Sequence, residues 1–135
     1  MNDAEFLAAF ENCRITAAEL GHREHLRLAF IYLSRNPFET ALAKVETGLQ
    51  ALLAHLGAPP SKYHKTLTRA WLLAVQHFLL SSGRFTTAAE FLERNPQLLD
   101  QRILETHYTR ERLWSEEARR RFIEPDLQPI PFHAD

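Results

Sequence analysis

The sequence has few of the residues that build disulfides, sheets and membrane spans. Its one cysteine, Cys13, excludes an internal disulfide and is typical of a protein from a reducing compartment. It contains four glycines among 135 residues and no alternating apolar–polar run bounded by turns, which argues against a β-sheet. No apolar run approaches the ~20 residues that a membrane span requires. We therefore expect a soluble, cytoplasmic protein without a membrane partner.

The chain also lacks an excess of charge of either sign. Its 16 Lys and Arg residues face 17 Asp and Glu residues, so the formal net charge is −1 with neutral histidines. A protein dedicated to nucleic acid normally carries a clear basic excess, so we expect no nucleic-acid partner. The length of 135 residues fits one domain, and 45% hydrophobic residues is ordinary for a globular protein.

Apolar residues instead recur with a strong helical period. The sequence predicts an all-α, single-domain bundle over residues 1–135, with about four main helices. The predicted bounds are Asp3–Asn12, the stretch between a cap at Thr16 and Pro37, Pro37–Gly57, and about 62–82 with Ser61 as cap and Gly83 as the closing residue.

The C-terminal third is predicted to hold shorter helices and an extended tail. The short helices are expected in "AAEFLERN" after Thr86 or Thr87, in "QLLDQRILETHY", and in "SEEARRRFIE" with Ser115 as cap. The tail, about 125–135, contains three prolines and cannot be helical. We expect it to lie extended across the bundle.

Histidines near helix starts form the main candidate site. His22 and His25 are three residues apart, so their side chains are neighbours on a helix surface and share its apolar face. His64 is expected at the top of the apolar face of the longest helix. If the second and fourth helices pack in parallel, the three imidazoles lie at one level of the bundle.

A carboxylate completes this predicted cluster. Glu46 lies within the apolar stripe of the third helix, where an isolated buried charge would be too costly, so it should be paired, protonated or bound to an ion. His22, His25 and His64, with or without Glu46, are a ligand set for a divalent transition metal: Zn²⁺, Fe²⁺, Mn²⁺, Ni²⁺ or Cu²⁺. His107 is the one further histidine that could fold back onto this site.

Three functional hypotheses follow, and the third of them is a metal-free pocket for small acids with Trp71 as its floor. In the first, the protein binds a metal and acts as a metal-dependent enzyme of unknown reaction on a small anionic molecule, with Lys62, Lys65 and Arg69 in a basic rim. A metal-free variant uses His64 as a general base, oriented by Tyr63 and Thr68. In the second, the protein is a non-catalytic helical interaction module or a homodimer. Its histidines are then buried hydrogen-bonding groups, and its tail is a docking strap.

Three stretches together resemble a family of small bacterial proteins of about this length. They are "HREHLRLA", "KYHKTLTRAW" and "HYTRERLWSEEARRRFIEPDLQPIP", and the resemblance covers about residues 19–131. The resemblance implies a bacterial origin and a complete chain. The family has no established activity, so it assigns no catalytic residues.

Overall fold

The structure, a computed structural model, describes residues 1–133. Its α-helices are α1 (Asp3–Glu11), α2 (His22–Leu33), α3 (Phe38–His55), α4 (Lys65–Ser82), α5 (Ala88–Arg94), α6 (Arg110–Leu113) and α7 (Glu116–Arg120). Short 3-10 turns occupy Ala17–Glu19, Pro60–Lys62, Pro96–Leu99 and Gln101–Thr106. No residue of this described range belongs to a β-strand. The predicted all-α bundle is confirmed.

Several helix ends lie where their capping residues predict them. Gly57 and Gly83 follow α3 and α4 with φ angles of 75° and 104°, a region that glycine enters without steric cost. The hydroxyls of Thr87 and Ser115 accept hydrogen bonds from the third backbone N–H of α5 and α7. These ends are set by local chemistry, which is why the sequence alone predicts them.

The starts of α2 and α4 differ from the prediction. Thr16 caps the 3-10 turn Ala17–Glu19 instead of α2, which begins only at His22. Ser61 lies in a second 3-10 turn, and His64 is the residue that caps α4. For Thr16 the reason is that its hydroxyl accepts from the Glu19 backbone N–H and so closes a single 3-10 turn. Ser61 lies inside its turn and makes no capping hydrogen bond.

The stretch "QLLDQRILETHY" forms two 3-10 turns rather than one α-helix. The Asp100 carboxylate accepts from the Arg102 backbone N–H, so the side chain caps the second turn and interrupts the helix between the two. The four-residue helix α6 was not predicted, because it is too short to show an apolar period.

Helix α2 lies at the centre of the bundle and packs against α1, α3, α4 and α5. Six of its twelve residues are buried, a share typical of a helix covered on several sides. No helix within residues 1–133 has the length and apolar character needed to cross a membrane.

The described part of the predicted tail, residues 125–133, contains no helix, and hydrogen bonds hold it and the residues before it to the bundle. The buried Thr66 hydroxyl donates to the Arg121 carbonyl at 2.8 Å and accepts from the Ile123 backbone N–H at 3.1 Å. Further along, the buried Gln76 amide donates to the His133 carbonyl and accepts from its backbone N–H. The tail is thus a strap over α4. The last two residues of its predicted span, 134–135, lie outside the described residues.

Candidate functional site

The imidazoles of His22 and His25 each hydrogen-bond to a backbone carbonyl. The His22 Nε2–H donates to the Leu98 carbonyl at 2.8 Å, and its ring contacts the Trp71 ring with centroids 4.5 Å apart. The His25 Nδ1–H donates to the Gly21 carbonyl at 2.8 Å. Close protein atoms that displace water lower the pKa of His25, and the Gly21 hydrogen bond opposes this shift. Each ring keeps one nitrogen outside these bonds.

Both nitrogens of His64 are occupied. Its Nδ1 accepts from the Leu67 backbone N–H at 3.0 Å, which makes it the N-cap of α4. Because Nδ1 is an acceptor, Nε2 carries the proton and donates to the Leu113 carbonyl at 2.8 Å. The Trp114 ring packs edge-on against the imidazole, which is only 7% exposed. His64 therefore ties the start of α4 to the end of α6.

The pKa of the His64 imidazole is lowered by burial, and the nearby Arg119 guanidinium lowers it further; the hydrogen bond to Leu113 opposes both. In the unfolded chain a histidine titrates near its ordinary pKa of about 6.5. Below that pH the unfolded state binds a proton that the folded state does not, so acid favours unfolding.

We therefore expect the free energy of unfolding to fall as the pH is lowered from about 7 to about 5.5, with a limiting slope of about 1.4 kcal/mol per pH unit for His64. Urea titrations across this range, on the wild type and on His64→Asn, measure it. Asparagine keeps a capping acceptor but does not titrate, so the variant should show the smaller slope. Equal slopes would contradict this role of His64.

The three histidines thus make separate hydrogen bonds. His22 and His25, at the start of α2, donate to the Leu98 and Gly21 carbonyls, whereas His64, at the start of α4, bonds to Leu67 and Leu113. Within residues 1–133, no group of three or more His, Cys, Asp or Glu side chains is positioned to hold a metal ion. His107 does not join them, because its Nδ1–H donates to the Gln128 carbonyl of the tail at 2.7 Å. The predicted metal site stays a prediction, which elemental analysis tests.

The structure does bring together the other three predicted site residues, Glu46, Tyr63 and Thr68. The Tyr63 hydroxyl donates to the half-buried Glu46 carboxylate at 2.8 Å, which supplies the partner expected for that charge. Burial raises the pKa of Tyr63, a contact with the Thr68 side chain opposes the shift, and Glu46 adds to it. The Thr68 hydroxyl itself donates to the His64 carbonyl at 2.9 Å. All three polar groups are engaged within the protein.

One of the three cations in the predicted basic rim is neutralised by a carboxylate. Arg69 pairs with Glu39 at 2.9 Å and lies over the rings of Phe38 and Phe122, each with its centroid 5.2 Å from the guanidinium carbon. These contacts give Arg69 a packing role, as expected for an arginine beside aromatic rings. Lys62 is exposed in the 3-10 turn before α4.

A surface cleft opens beside Tyr63. It has a volume of about 280 Å³ and is formed by the turn before α4, the start of α4, one residue of α3 and helix α7. We call it the Tyr63 cleft. It is lined by Gln50, Pro60, Ser61, Tyr63, Lys65, Glu116, Arg119 and Arg120. Three cations and one carboxylate thus meet in one concave surface.

Only one of these three cations has a carboxylate partner. Arg120 pairs with Glu116 at 2.7 Å, four residues earlier on α7. Arg119 makes a long contact of 3.5 Å with the Ser61 carbonyl, and among residues 1–133 neither Arg119 nor Lys65 forms an ion pair. Both are half-buried. Two partly desolvated positive charges therefore lie uncompensated at the cleft.

The basic run "ARRRF", residues 118–122, follows Glu116 and Glu117, so the sequence predicts an ordinary surface helix with ion pairs at i, i+3 and i, i+4. The two i, i+4 pairs form, between Glu116 and Arg120 and between Glu117 and Arg121. Arg119 forms no ion pair within residues 1–133, although Glu116 lies three residues before it. The sequence gives no signal for its place at the cleft, because that place depends on a contact with Ser61, 58 residues earlier.

Comparison with known proteins adds no relative. No protein-family model matches the chain, and neither the curated proteins nor the solved structures gave a match.

Proposed function

We propose that the protein is a non-catalytic helical binding module that receives a small anionic group in the Tyr63 cleft. The observation that carries the proposal is the pair of half-buried cations, Lys65 and Arg119, which face the cleft without a carboxylate partner. An uncompensated charge that has lost part of its hydration is stabilised by a counter-ion. The single cysteine supports a reducing compartment such as the cytoplasm.

The engagement of the polar side chains supports a binding role over a catalytic one. A general base needs a free lone pair within reach of a substrate proton. His64 offers none, since its Nδ1 accepts from Leu67 and its Nε2 donates to Leu113. The hydroxyl protons of Tyr63 and Thr68 are likewise given to protein oxygens. These bonds hold the wall of the cleft in place.

The ligand is expected to be small. At about 280 Å³ the cleft lies near the lower end of ordinary ligand pockets, about 300 Å³. Apart from the charged groups, the Gln50 amide and the Ser61 hydroxyl form no hydrogen bond within the described part of the chain, and both line the cleft. They are available to donate to a carboxylate or phosphate oxygen.

The test is an NMR titration with sodium acetate and with inorganic phosphate at low ionic strength, where weak charge interactions are least screened. We expect amide shifts concentrated at Tyr63, Lys65 and Arg119. The double variant Lys65→Gln/Arg119→Gln should weaken binding about tenfold or more, equivalent to about 1.4 kcal/mol.

A matched control has the same change of net charge elsewhere. Lys44→Gln/Arg94→Gln removes two exposed cations that do not line the cleft, and it should leave the affinity within about twofold. Equal losses in the two double variants would mean that the anion responds only to net charge. That result, or shifts spread over the whole surface, would overturn the proposal.

A further inference from the structure

A second, apolar hollow lies beside the Tyr63 cleft. This hollow has a volume of about 170 Å³ and is here called the Leu53 hollow, lined by Gln50, Leu53, Ala54, Ala58, Pro60 and Tyr63. It shares Gln50, Pro60 and Tyr63 with the cleft, so the two are adjacent, and together they are here called the groove. No charged residue lines the hollow. The groove is therefore basic at one end and apolar at the other.

We infer that the groove binds a free monocarboxylate with a short apolar chain, its carboxylate between Lys65 and Arg119 and its chain over Leu53 and Ala58. The inference rests on the proposed function, because it assigns the anionic group to that same cleft. Charge complementarity favours the carboxylate of the ligand at the basic end of the groove, because two uncompensated cations attract a carboxylate more strongly than a neutral group. The apolar lining favours the hydrocarbon chain of the ligand in the Leu53 hollow, since burying CH₂ groups is favourable only where the wall is apolar.

The mainly apolar wall between the cleft and the hollow supports a single ligand that occupies both. Tyr63 is 8% exposed, and its hydroxyl is turned to Glu46, so its ring rather than a polar group separates the two ends. Pro60 adds a second apolar surface at the same place and has no backbone N–H to satisfy. Apart from the Gln50 amide, the wall that the cleft and the hollow share is apolar, which favours an apolar chain there.

The experiment is calorimetric titration with acetate, butyrate, hexanoate and the uncharged 1-hexanol. Complete burial of a CH₂ group is worth about fourfold in affinity. Because the hollow is open on one side, we expect about two- to threefold per CH₂, and so on the order of 30-fold between acetate and hexanoate. Hexanol should bind at least about tenfold more weakly than hexanoate.

Two variants on the exposed side of α3 form a matched pair. Ala54→Phe fills the hollow and should remove the dependence on chain length while acetate binding persists. Ala51→Phe adds the same ring to an exposed position of the same helix that lines neither part of the groove, and it should bind hexanoate like the wild type. Circular dichroism checks that both variants keep their helix content.

Each outcome separates this inference from the proposed function. Acetate and hexanoate binding with equal affinity, both weakened by Lys65→Gln/Arg119→Gln, would overturn the apolar chain and leave anion binding standing. Hexanol binding as tightly as hexanoate would overturn the anionic head of this ligand, and the proposed function would fall with it only if acetate also failed to bind. If sedimentation shows that the protein is a dimer and that hexanoate dissociates it, a second copy of the chain occupies the groove. That result would overturn the small-molecule assignment.

Discussion

Replacing His64 with alanine should lower the free energy of unfolding by about 3 kcal/mol. The substitution removes the side-chain cap of α4, which is worth about 1 kcal/mol. It also leaves the Leu113 carbonyl, on a buried residue, without its donor, at a cost of about 1–3 kcal/mol. Urea denaturation of the wild type and the variant near neutral pH measures the difference.

Two further variants show which part of the loss belongs to which bond. His64→Asn restores the capping acceptor but is too short to reach Leu113, so it should recover about 1 kcal/mol. His55→Ala changes an exposed histidine and should be neutral within about 0.5 kcal/mol. A loss below about 1 kcal/mol for His64→Ala would show that the link between α4 and α6 contributes little, contrary to the structural role assigned here.

Replacing Gly48 with alanine should destabilise the protein by about 2–3 kcal/mol, although alanine is the better helix former by about 1 kcal/mol. Gly48 lies inside α3, and a Cβ there would overlap the ring of Phe10. Phe10 is 0% exposed, so in a close-packed core its ring can move only by shifting its neighbours. The overlap between α1 and α3 should outweigh the gain in helix propensity.

A double-mutant cycle tests this cause directly. In a Phe10→Leu background the ring is absent, so the same Gly48→Ala change should be neutral or stabilising by up to about 1 kcal/mol. The change of sign is the expected result, and urea denaturation of the four proteins measures it. A loss of the same size in both backgrounds would show that the Phe10 contact is not the reason for the glycine.

The parts of the fold that the sequence predicts are those fixed within a few residues. The ends of α3 and α4 at Gly57 and Gly83 depend on local backbone conformation, and the caps Thr87 and Ser115 bond to residues three positions away. The absence of helix from the described part of the tail follows from its prolines, which cannot continue a helix.

The parts that the sequence does not predict depend on contacts between distant segments. Ser61 and His64 both precede the apolar run of α4, and serine is the stronger intrinsic cap. Histidine takes the position in the structure, where its other nitrogen meets the carbonyl of Leu113, 49 residues later. The pairing of Tyr63 with Glu46 and the meeting of Arg119 with the turn at Ser61 have the same long-range origin.

The histidines of the candidate site also make backbone hydrogen bonds that the sequence does not reveal, while metal binding by them stays a prediction. Helical periodicity places His22 and His25 on one face, and both are within one turn of the start of α2. Periodicity does not reveal that the Leu98 and Gly21 carbonyls accept from their rings. A histidine with one nitrogen bonded to a carbonyl can still bind a metal through the other, but His64 would have to give up its cap.

Elemental analysis after metal loading tests the structural role of the histidines most directly. Untagged protein purified without chelators is incubated with an excess of Zn²⁺, Fe²⁺, Mn²⁺, Ni²⁺ or Cu²⁺, desalted and measured by mass spectrometry, beside His22→Ala/His25→Ala. We expect both proteins to retain far less than one metal ion per chain. One ion per chain in the wild type, lost in a variant that remains folded, would contradict the account and make the histidines a metal centre.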